Sequence, residues 1–352
     1  MTQFVKDVSV LRVARVRRVV CRATAVGVLA SVLVGCAPSR PILGSWEGPG
    51  VIAPVNIEAS AGESTRVQVL RTPNYRIYTT ITDDETLDRM AQTLEGALTQ
   101  YRRLVPDLPT RADPRPLEAY VFASRAEWAE FTARRTGPDA RIYLQINRGG
   151  YTIGDWFAGF WIGDGTYAMV AHEGWHQFVG RNFVGRLPPF LDEGFACMFE
   201  NIRWQPSRGG EVPQWNLSQN RGRALALRNA IDDRKTFPLQ DLVSMHAGDV
   251  IHMPPDRVDA FYAQNWAFAR FLWEGENQKH RSAMQRMLRD LAAGKNPDGT
   301  QRPGAAALGW QPKTVRPMLE TYLGTNLDAI DVAYQAYVRQ IAYDELSAQW
   351  DL

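Results

Sequence analysis

The sequence has 352 residues, of which 45% are apolar and 22% charged, a composition typical of a globular protein and not of a disordered chain. The formal net charge of +2 comes from residues 1–35, which hold six basic residues and one acidic residue; the rest of the chain has 34 basic and 37 acidic residues. No basic stripe with interleaved aromatic residues remains, so nucleic acid is not expected as a partner.

The first 35 residues have the pattern of a secretion signal. A segment with five arginines precedes the apolar run 23–34, which is too short for a stable transmembrane span. The run ends in Leu33-Val34-Gly35-Cys36, which resembles the lipobox of bacterial lipoproteins and implies that Cys36 becomes a lipidated N-terminus. Residues 37 and 38 are Ala-Pro and not Asp, which by analogy with bacterial lipoproteins favours the outer membrane of the cell envelope over retention at the inner membrane. A plain signal peptide is the alternative.

Residues 36–70 are rich in Pro, Gly, Ser and Ala and are predicted to be a tether and lead-in. Residues 71–162 are predicted to form an α/β subdomain. The apolar patterns predict, in order, a strand at 75–81, a helix at 84–104, a strand at 117–122, a helix opened by the capping box of Ser124 and Glu127, and strands at 142–144, 151–153 and 157–161.

Residues 163–352 are predicted to form a mainly helical subdomain, and its first helix carries the most informative motif. His172-Glu173-Gly174-Trp175-His176 lies on a helix predicted over 166–179, with Asp164 as N-cap and Gly180 as the residue that stops it. The one-turn spacing places both imidazoles on one face, where they can bind one metal ion. A second helix is predicted from the Pro188-Pro189 pair, with Glu193 in its first or second turn.

These two helices resemble those of the gluzincin zinc peptidases, in which H-E-x-x-H supplies two ligands and a glutamate of the next helix the third. The run Leu191-Asp192-Glu193-Gly194-Phe195-Ala196 is similar to a segment of aminopeptidase-N-like enzymes, with a spacing two residues shorter, and is closer to the peptidase-MA-like domain of bacterial envelope proteins. The resemblance covers residues 166–201. It implies zinc bound by His172, His176 and Glu193, and a gluzincin or thermolysin-like α+β fold, with a small mixed sheet before the zinc helices and a helical C-terminal half.

The motif predicts roles for three further residues. A zinc ion with three protein ligands keeps a place for water and lowers the pKa of that water to about 7, so Glu173 is predicted to be the general base. Tyr262 is predicted to stabilise the oxyanion, because residues 261–267 resemble a run of peptidase-MA-like domains; a core aromatic residue is the alternative. Glu200 is predicted to accept the other N–H of a metal-bound histidine, with a solvated helix end as the alternative.

Other candidates are weaker. His246 and His252 are further possible oxyanion donors or ordinary loop histidines. Cys197 is predicted to be a small buried residue; because Cys36 would be lipidated, no disulfide is expected in the mature chain. The strand at 158–161 is predicted either to pair with an extended substrate, as the strand beside the zinc helix does in gluzincins, or to be buried. Beyond residue 201, helices are predicted at 220–231, 257–275, 278–291, 313–322 and 327–346.

The sequence therefore predicts a zinc-dependent hydrolase of peptide bonds that acts on a peptide or protein substrate and is tethered to a membrane of the cell envelope through Cys36. An endopeptidase is favoured over an aminopeptidase, because no Gly-x-Met-Glu-Asn segment precedes the zinc helix. Two alternatives remain open. One is a non-enzymatic envelope lipoprotein with a structural or degenerate metal site, and the other is a cell-wall amide hydrolase with the same chemistry.

Overall fold

The computed structural model describes residues 56–59, 67–106, 108, 115–207, 210–302, 310 and 312–345. Within these ranges the chain has the predicted α+β class, with a mixed sheet followed by a helical half. The predicted signal segment 1–35 and the predicted lipidation site Cys36 lie outside the described residues. None of the helices in the described ranges is long and apolar enough to cross a membrane.

Six strands form the sheet: β1 (Asn56–Ala59), β2 (Gln68–Arg71), β3 (Tyr75–Thr79), β4 (Leu117–Phe122), β5 (Gly150–Ile153) and β6 (Trp156–Phe160). Their spatial order is β1-β2-β3-β4-β6-β5, and β3, β4 and β6 are parallel whereas the other neighbouring pairs are antiparallel. In β3, Tyr75, Ile77 and Thr79 are buried and the residues between them are half-buried, which is the alternation of a strand with one face on the core.

The helices follow the chain order. Three accompany the sheet: α1 (Asp84–Leu104), α2 (Arg125–Thr136) and the short α3 (Ala140–Tyr143). The site region consists of α4 (Gly165–Asn182), α5 (Pro189–Met198) and the hairpin of β7 (Ile202–Ser207) and β8 (Gly210–Trp215). The C-terminal part contains α6 (Arg221–Asp232), α7 (Leu239–Leu242), α8 (Ala247–Val250), α9 (Pro255–Gln278), α10 (Arg281–Ala292), α11 (Pro312–Leu323) and α12 (Leu327–Arg339), which continues as a π-helix over Gln340–Glu345.

One hydrophobic core extends from the sheet through α1 and α4 into the C-terminal helices. Near the site it is aromatic: the ring of Tyr101 packs edge-on against Trp175 and Phe199, with centroids 5.7 and 4.6 Å apart. Burying a large apolar side chain stabilises a fold by about 1.5–3 kcal/mol. This cluster therefore fixes α1, α4 and the end of α5 against one another.

Several predicted elements are confirmed, and one is wrong. The strand at 117–122, the helix at 84–104 and the capping box of Ser124 and Glu127 are all present. The strand predicted at 142–144 is wrong, because that segment lies in and just after α3. A three-residue apolar run has no period that distinguishes a strand from a helix.

Three other predictions need correction, and one choice between two alternatives is decided. Strand β1 and residues 68–70 of β2 lie in the segment 36–70 that was assigned to the lead-in, and residues 202–215, assigned to the helical region, form the β7–β8 hairpin. Gly180 does not end α4: a Cβ at this position would lie 2.0 Å from the carbonyl oxygen of Gly154, so the glycine permits a close approach of two backbones. For the strand at 158–160 the buried alternative is confirmed and the substrate-pairing alternative is not, because β6 pairs with β4 on one side and β5 on the other.

Candidate metal centre

Helix α4 has a buried face and a face that carries the motif. Trp175 is fully buried on the side towards α1. Gly174 is required there, because a Cβ at this position would lie 2.7 Å from the hydroxyl oxygen of Tyr101. The one-turn spacing leaves His172 and His176 together on a different face, which meets α5.

Helix α5 brings the third candidate ligand. It begins at Pro189, as predicted, and packs closely on α9. Gly194 permits this packing, because a Cβ there would lie 2.5 Å from the carbonyl oxygen of Asn265. With Gly194 against α9, the preceding residue Glu193 lies towards α4 and meets both imidazoles.

The donor atoms of these three residues converge. The Nε2 atoms of His172 and His176 are 3.2 Å apart, and Oε2 of Glu193 lies 3.3 Å from the first and 3.6 Å from the second. In a tetrahedral zinc site with bonds of about 2.0–2.1 Å, neighbouring donor atoms are about 3.3 Å apart. Oε2 of Glu193 is buried and makes no hydrogen bond with a described residue. The three side chains therefore form a geometrically possible metal-binding cluster, and two imidazoles with one carboxylate suit zinc.

The electrostatic environment favours a cation at this point. Burial lowers the pKa of His176, but Asp192 and Glu193 outweigh burial and raise it to about 10. Burial raises the pKa of Glu193, but the two neighbouring histidines outweigh it and hold the pKa well below its usual range. A surrounding that stabilises positive charge on the imidazoles stabilises a divalent cation between them for the same reason.

The other ring nitrogen of each histidine faces a carboxylate. Oε1 of Glu200 lies 2.9 Å from Nδ1 of His172, and Oδ1 of Asp192 lies 3.0 Å from Nδ1 of His176. The Glu200 contact has hydrogen-bond geometry, whereas Oδ1 of Asp192 makes no hydrogen bond with a described residue and acts on His176 through its charge. A carboxylate that accepts from Nδ1 keeps the proton there and leaves the Nε2 lone pair for a metal. Glu200 thus makes the contact that its predicted role requires, although it lies beyond the end of α5 and not two turns along the same helix.

Glu200 is itself held by two residues from the start of α6. Nε and Nη2 of Arg223 donate to Oε2 and Oε1 of Glu200 at 2.8 and 2.6 Å, and Nδ2 of Asn220 donates to Oε2 at 2.9 Å. Donor atoms of His172, Cys197 and Glu200 also lie close together. Arg223 already supplies positive charge at that carboxylate, which makes this second group the less favourable of the two for a cation. Cys197 is buried, as predicted.

Glu173 contacts the edge strand of the sheet. Its side chain is buried, and Oγ1 of Thr152 in β5 donates to its Oε2 at 2.6 Å. The short distance is that of a strong hydrogen bond from the hydroxyl to the carboxylate. Glu173 lies on the ligand helix α4 itself, and β5 holds its carboxylate apart from the three converging donor atoms.

Tyr262 lies beside the cluster. Its ring centroid is 6.0 Å from that of His172, and the guanidinium carbon of Arg223 lies 5.0 Å from the centroid of its ring. Burial, followed by the charge of Glu193, raises the pKa of Tyr262 far above its usual value. The phenol therefore stays protonated and can donate a hydrogen bond.

The other two candidate histidines have different surroundings. Nε2 of His246 lies 3.3 Å from the carbonyl oxygen of Trp310, and Nδ1 of exposed His252 lies 3.2 Å from Oε1 of Gln145. In the part of the chain that the structure describes, neither contacts the three ligands. An oxyanion role for these histidines has no support in their contacts.

Sequence reasoning missed four residues of the site: Thr152, Asp192, Asn220 and Arg223. Asp192 had a signal, because it directly precedes a predicted ligand. Asn220 also had one, since an asparagine before a helical pattern is an expected N-cap, and its side chain does accept from the N–H of Arg223. Thr152 had no local signal.

Comparison with known proteins adds no family assignment. No family model matches the chain, and no curated protein matches its sequence. The function is therefore inferred from the residues of the site and their geometry.

Proposed function

We propose that this protein is a zinc-dependent hydrolase of peptide bonds, with endopeptidase activity, tethered in the cell envelope through Cys36. The observation that carries the proposal is the convergence of Nε2 of His172, Nε2 of His176 and Oε2 of Glu193. Structural zinc usually has four protein ligands, whereas catalytic zinc has three and an open position. Glu173 supports the catalytic alternative, since a structural site has no use for a base.

The chain's own residues account for the proton transfers of hydrolysis. Bound zinc supplies Lewis-acid chemistry, polarising a carbonyl group and lowering the pKa of water to about 7. Glu173 takes one proton from the attacking water, whose oxygen forms a bond to the carbonyl carbon, and delivers that proton to the amine nitrogen as the C–N bond breaks. Tyr262, as a protonated phenol, donates to the oxygen that gains negative charge. Glu200 and Asp192 keep the two imidazoles oriented.

The sheet edge beside α4 suggests how an extended substrate binds. Among the described strands, β5 pairs only with β6, so its other edge is available for a peptide backbone. β5 also contacts the base, through Thr152 and Glu173. Backbone pairing at this edge reads an extended chain independently of most side chains, which suits an endopeptidase.

The test compares wild type with Glu173→Gln after zinc loading, using fluorescein-labelled casein as the substrate and elemental analysis for the metal. We expect one zinc per chain in both proteins, and a loss of about 10²- to 10⁴-fold in hydrolysis for the variant. Glu130→Gln, which changes an exposed glutamate of α2, is the matched control and should cleave casein like wild type.

Three outcomes would redirect the proposal. Undiminished cleavage by Glu173→Gln removes the assigned base. A folded wild type that takes up no zinc removes the metal centre. Cleavage of purified peptidoglycan but not casein, with the same dependence on Glu173, assigns the chemistry to a cell-wall amide hydrolase.

A further inference from the structure

Two residues of β5 shape the surroundings of Glu173. Gly150 and Thr152 are two positions apart, so they lie on the same face of the strand. A Cβ at Gly150 would lie 3.2 Å from Cγ of Glu173 and 2.8 Å from the carbonyl oxygen of Ala158, so a larger residue would crowd the glutamate and the neighbouring strand. The Thr152 hydroxyl has two acceptors within reach, Oε2 of Glu173 at 2.6 Å and the Glu173 carbonyl oxygen at 3.1 Å, and the shorter contact holds the far end of the side chain.

The hydrogen bond divides the roles of the two carboxylate oxygens. Oε2 of Glu173 accepts from Thr152, whereas no described residue donates a hydrogen bond to Oε1. A glutamate side chain has three rotatable bonds, and restricting them costs conformational entropy. Because the contact with Thr152 restricts them before substrate binds, substrate binding does not have to supply that cost. Proton transfer needs the accepting oxygen in one geometry, and a displacement of about 1 Å can lower a rate by about 100-fold.

We infer that β5 positions the catalytic base: Gly150 leaves room for the stem of Glu173, Thr152 anchors Oε2, and Oε1 is the oxygen left for proton transfer. The inference rests on the proposed hydrolase function. Thr152 is a positioning residue, because it acts through Glu173. Strand β5 therefore links the substrate to the base, because its available edge can pair with a peptide and its residue Thr152 holds the carboxylate of Glu173.

The kinetic test uses the full chain loaded with zinc and labelled casein as substrate. Thr152→Val keeps the side-chain shape without the hydroxyl, and Thr152→Ser keeps the hydroxyl. We expect kcat to fall by at least about tenfold in Thr152→Val, with KM and zinc content unchanged, and Thr152→Ser to restore most of it. Thr99→Val is the matched control, because Thr99 is also half-buried and, among the described residues, its hydroxyl bonds to the Glu95 carbonyl oxygen of its own helix and not to the site.

A second readout does not depend on turnover. In crystal structures of the zinc-loaded proteins, Glu173 should keep one rotamer in wild type and Thr152→Ser and leave it in Thr152→Val. An unmoved carboxylate with an unchanged kcat in Thr152→Val overturns the inference, as does a loss of kcat that Thr152→Ser fails to restore. If wild type does not cleave casein, the proposed function fails, and the crystal structures still decide whether Thr152 fixes Glu173.

Discussion

The two candidate histidine ligands are supported in different ways. Nδ1 of His172 faces Glu200, which Asn220 and Arg223 hold with three hydrogen bonds, two of them from the guanidinium. Nδ1 of His176 faces Asp192, to which no other described residue donates a side-chain hydrogen bond. The side chain of Glu200 is 12% exposed and that of Asp192 25% exposed. The imidazole of His172 thus belongs to a hydrogen-bonded network, whereas the imidazole of His176 has a single carboxylate contact.

The difference has a structural origin. Asp192 directly precedes Glu193 on α5, so the packing of α4 against α5 brings the third ligand and the support of His176 together. The support of His172 needs a third element, because Arg223 lies on α6. Substitutions in the network that supports His172 should therefore lower both fold stability and metal affinity. Substitution of Asp192, which supports His176, should lower mainly metal affinity.

The largest effect is expected for Arg223→Met. This change leaves Glu200 charged and mostly buried without its guanidinium, and removing one partner of a buried ion pair costs about 3–5 kcal/mol. Because the Arg223 side chain is 21% exposed, we expect the lower end, about 3 kcal/mol, in urea unfolding of the metal-free protein. Arg228→Met removes an exposed arginine of the same helix and should cost less than about 1 kcal/mol. Equal losses in the two variants would mean that the network contributes no stability of its own.

The next effect distinguishes the two sides directly. Glu200→Gln should lower zinc affinity by about 10- to 100-fold, because it weakens the acceptor of His172 and leaves Arg223 without a counter-charge. Asp192→Asn should lower it by no more than about tenfold, since no described arginine or lysine loses its counter-charge with Asp192 and the Asp192 side chain is more exposed than that of Glu200. Competition with a chromophoric chelator measures both affinities. A greater loss in Asp192→Asn would reverse the ranking of the two sides.

The ligand set could be predicted because its spacing is local. Two histidines one turn apart share a face on any helix, and the proline pair fixed the start of the helix that carries Glu193. Glu200 was predicted from helical spacing, but the helix ends at Met198 and the contact depends on the turn that follows. Thr152 could not be predicted, because it lies 21 residues before Glu173 and meets it only through the packing of β5 on α4.

Two features of the fold have physical causes that the local sequence does not show. The choice between a substrate-pairing and a buried strand at 158–160 is decided by β5, which folds back outside that strand as its hairpin partner and covers its edge. The β7–β8 hairpin was not predicted, and its strands contain Pro206 and Pro213, residues that argue against a strand in a central position. A two-stranded ribbon has only edge strands, and these tolerate proline.

The smallest effect tests whether zinc affinity reports on the site or on stability in general. Ser124→Ala removes the capping box of α2, which packs on β4 and β6 and contributes no candidate ligand. Losing such a cap costs about 1 kcal/mol of unfolding free energy, and zinc affinity should stay unchanged, because the folded protein keeps the same three donor atoms. Urea unfolding and chelator competition on the same preparations measure the two quantities. If zinc affinity fell with stability in Ser124→Ala, the losses expected for Glu200→Gln and Arg223→Met could no longer be attributed to the support of His172.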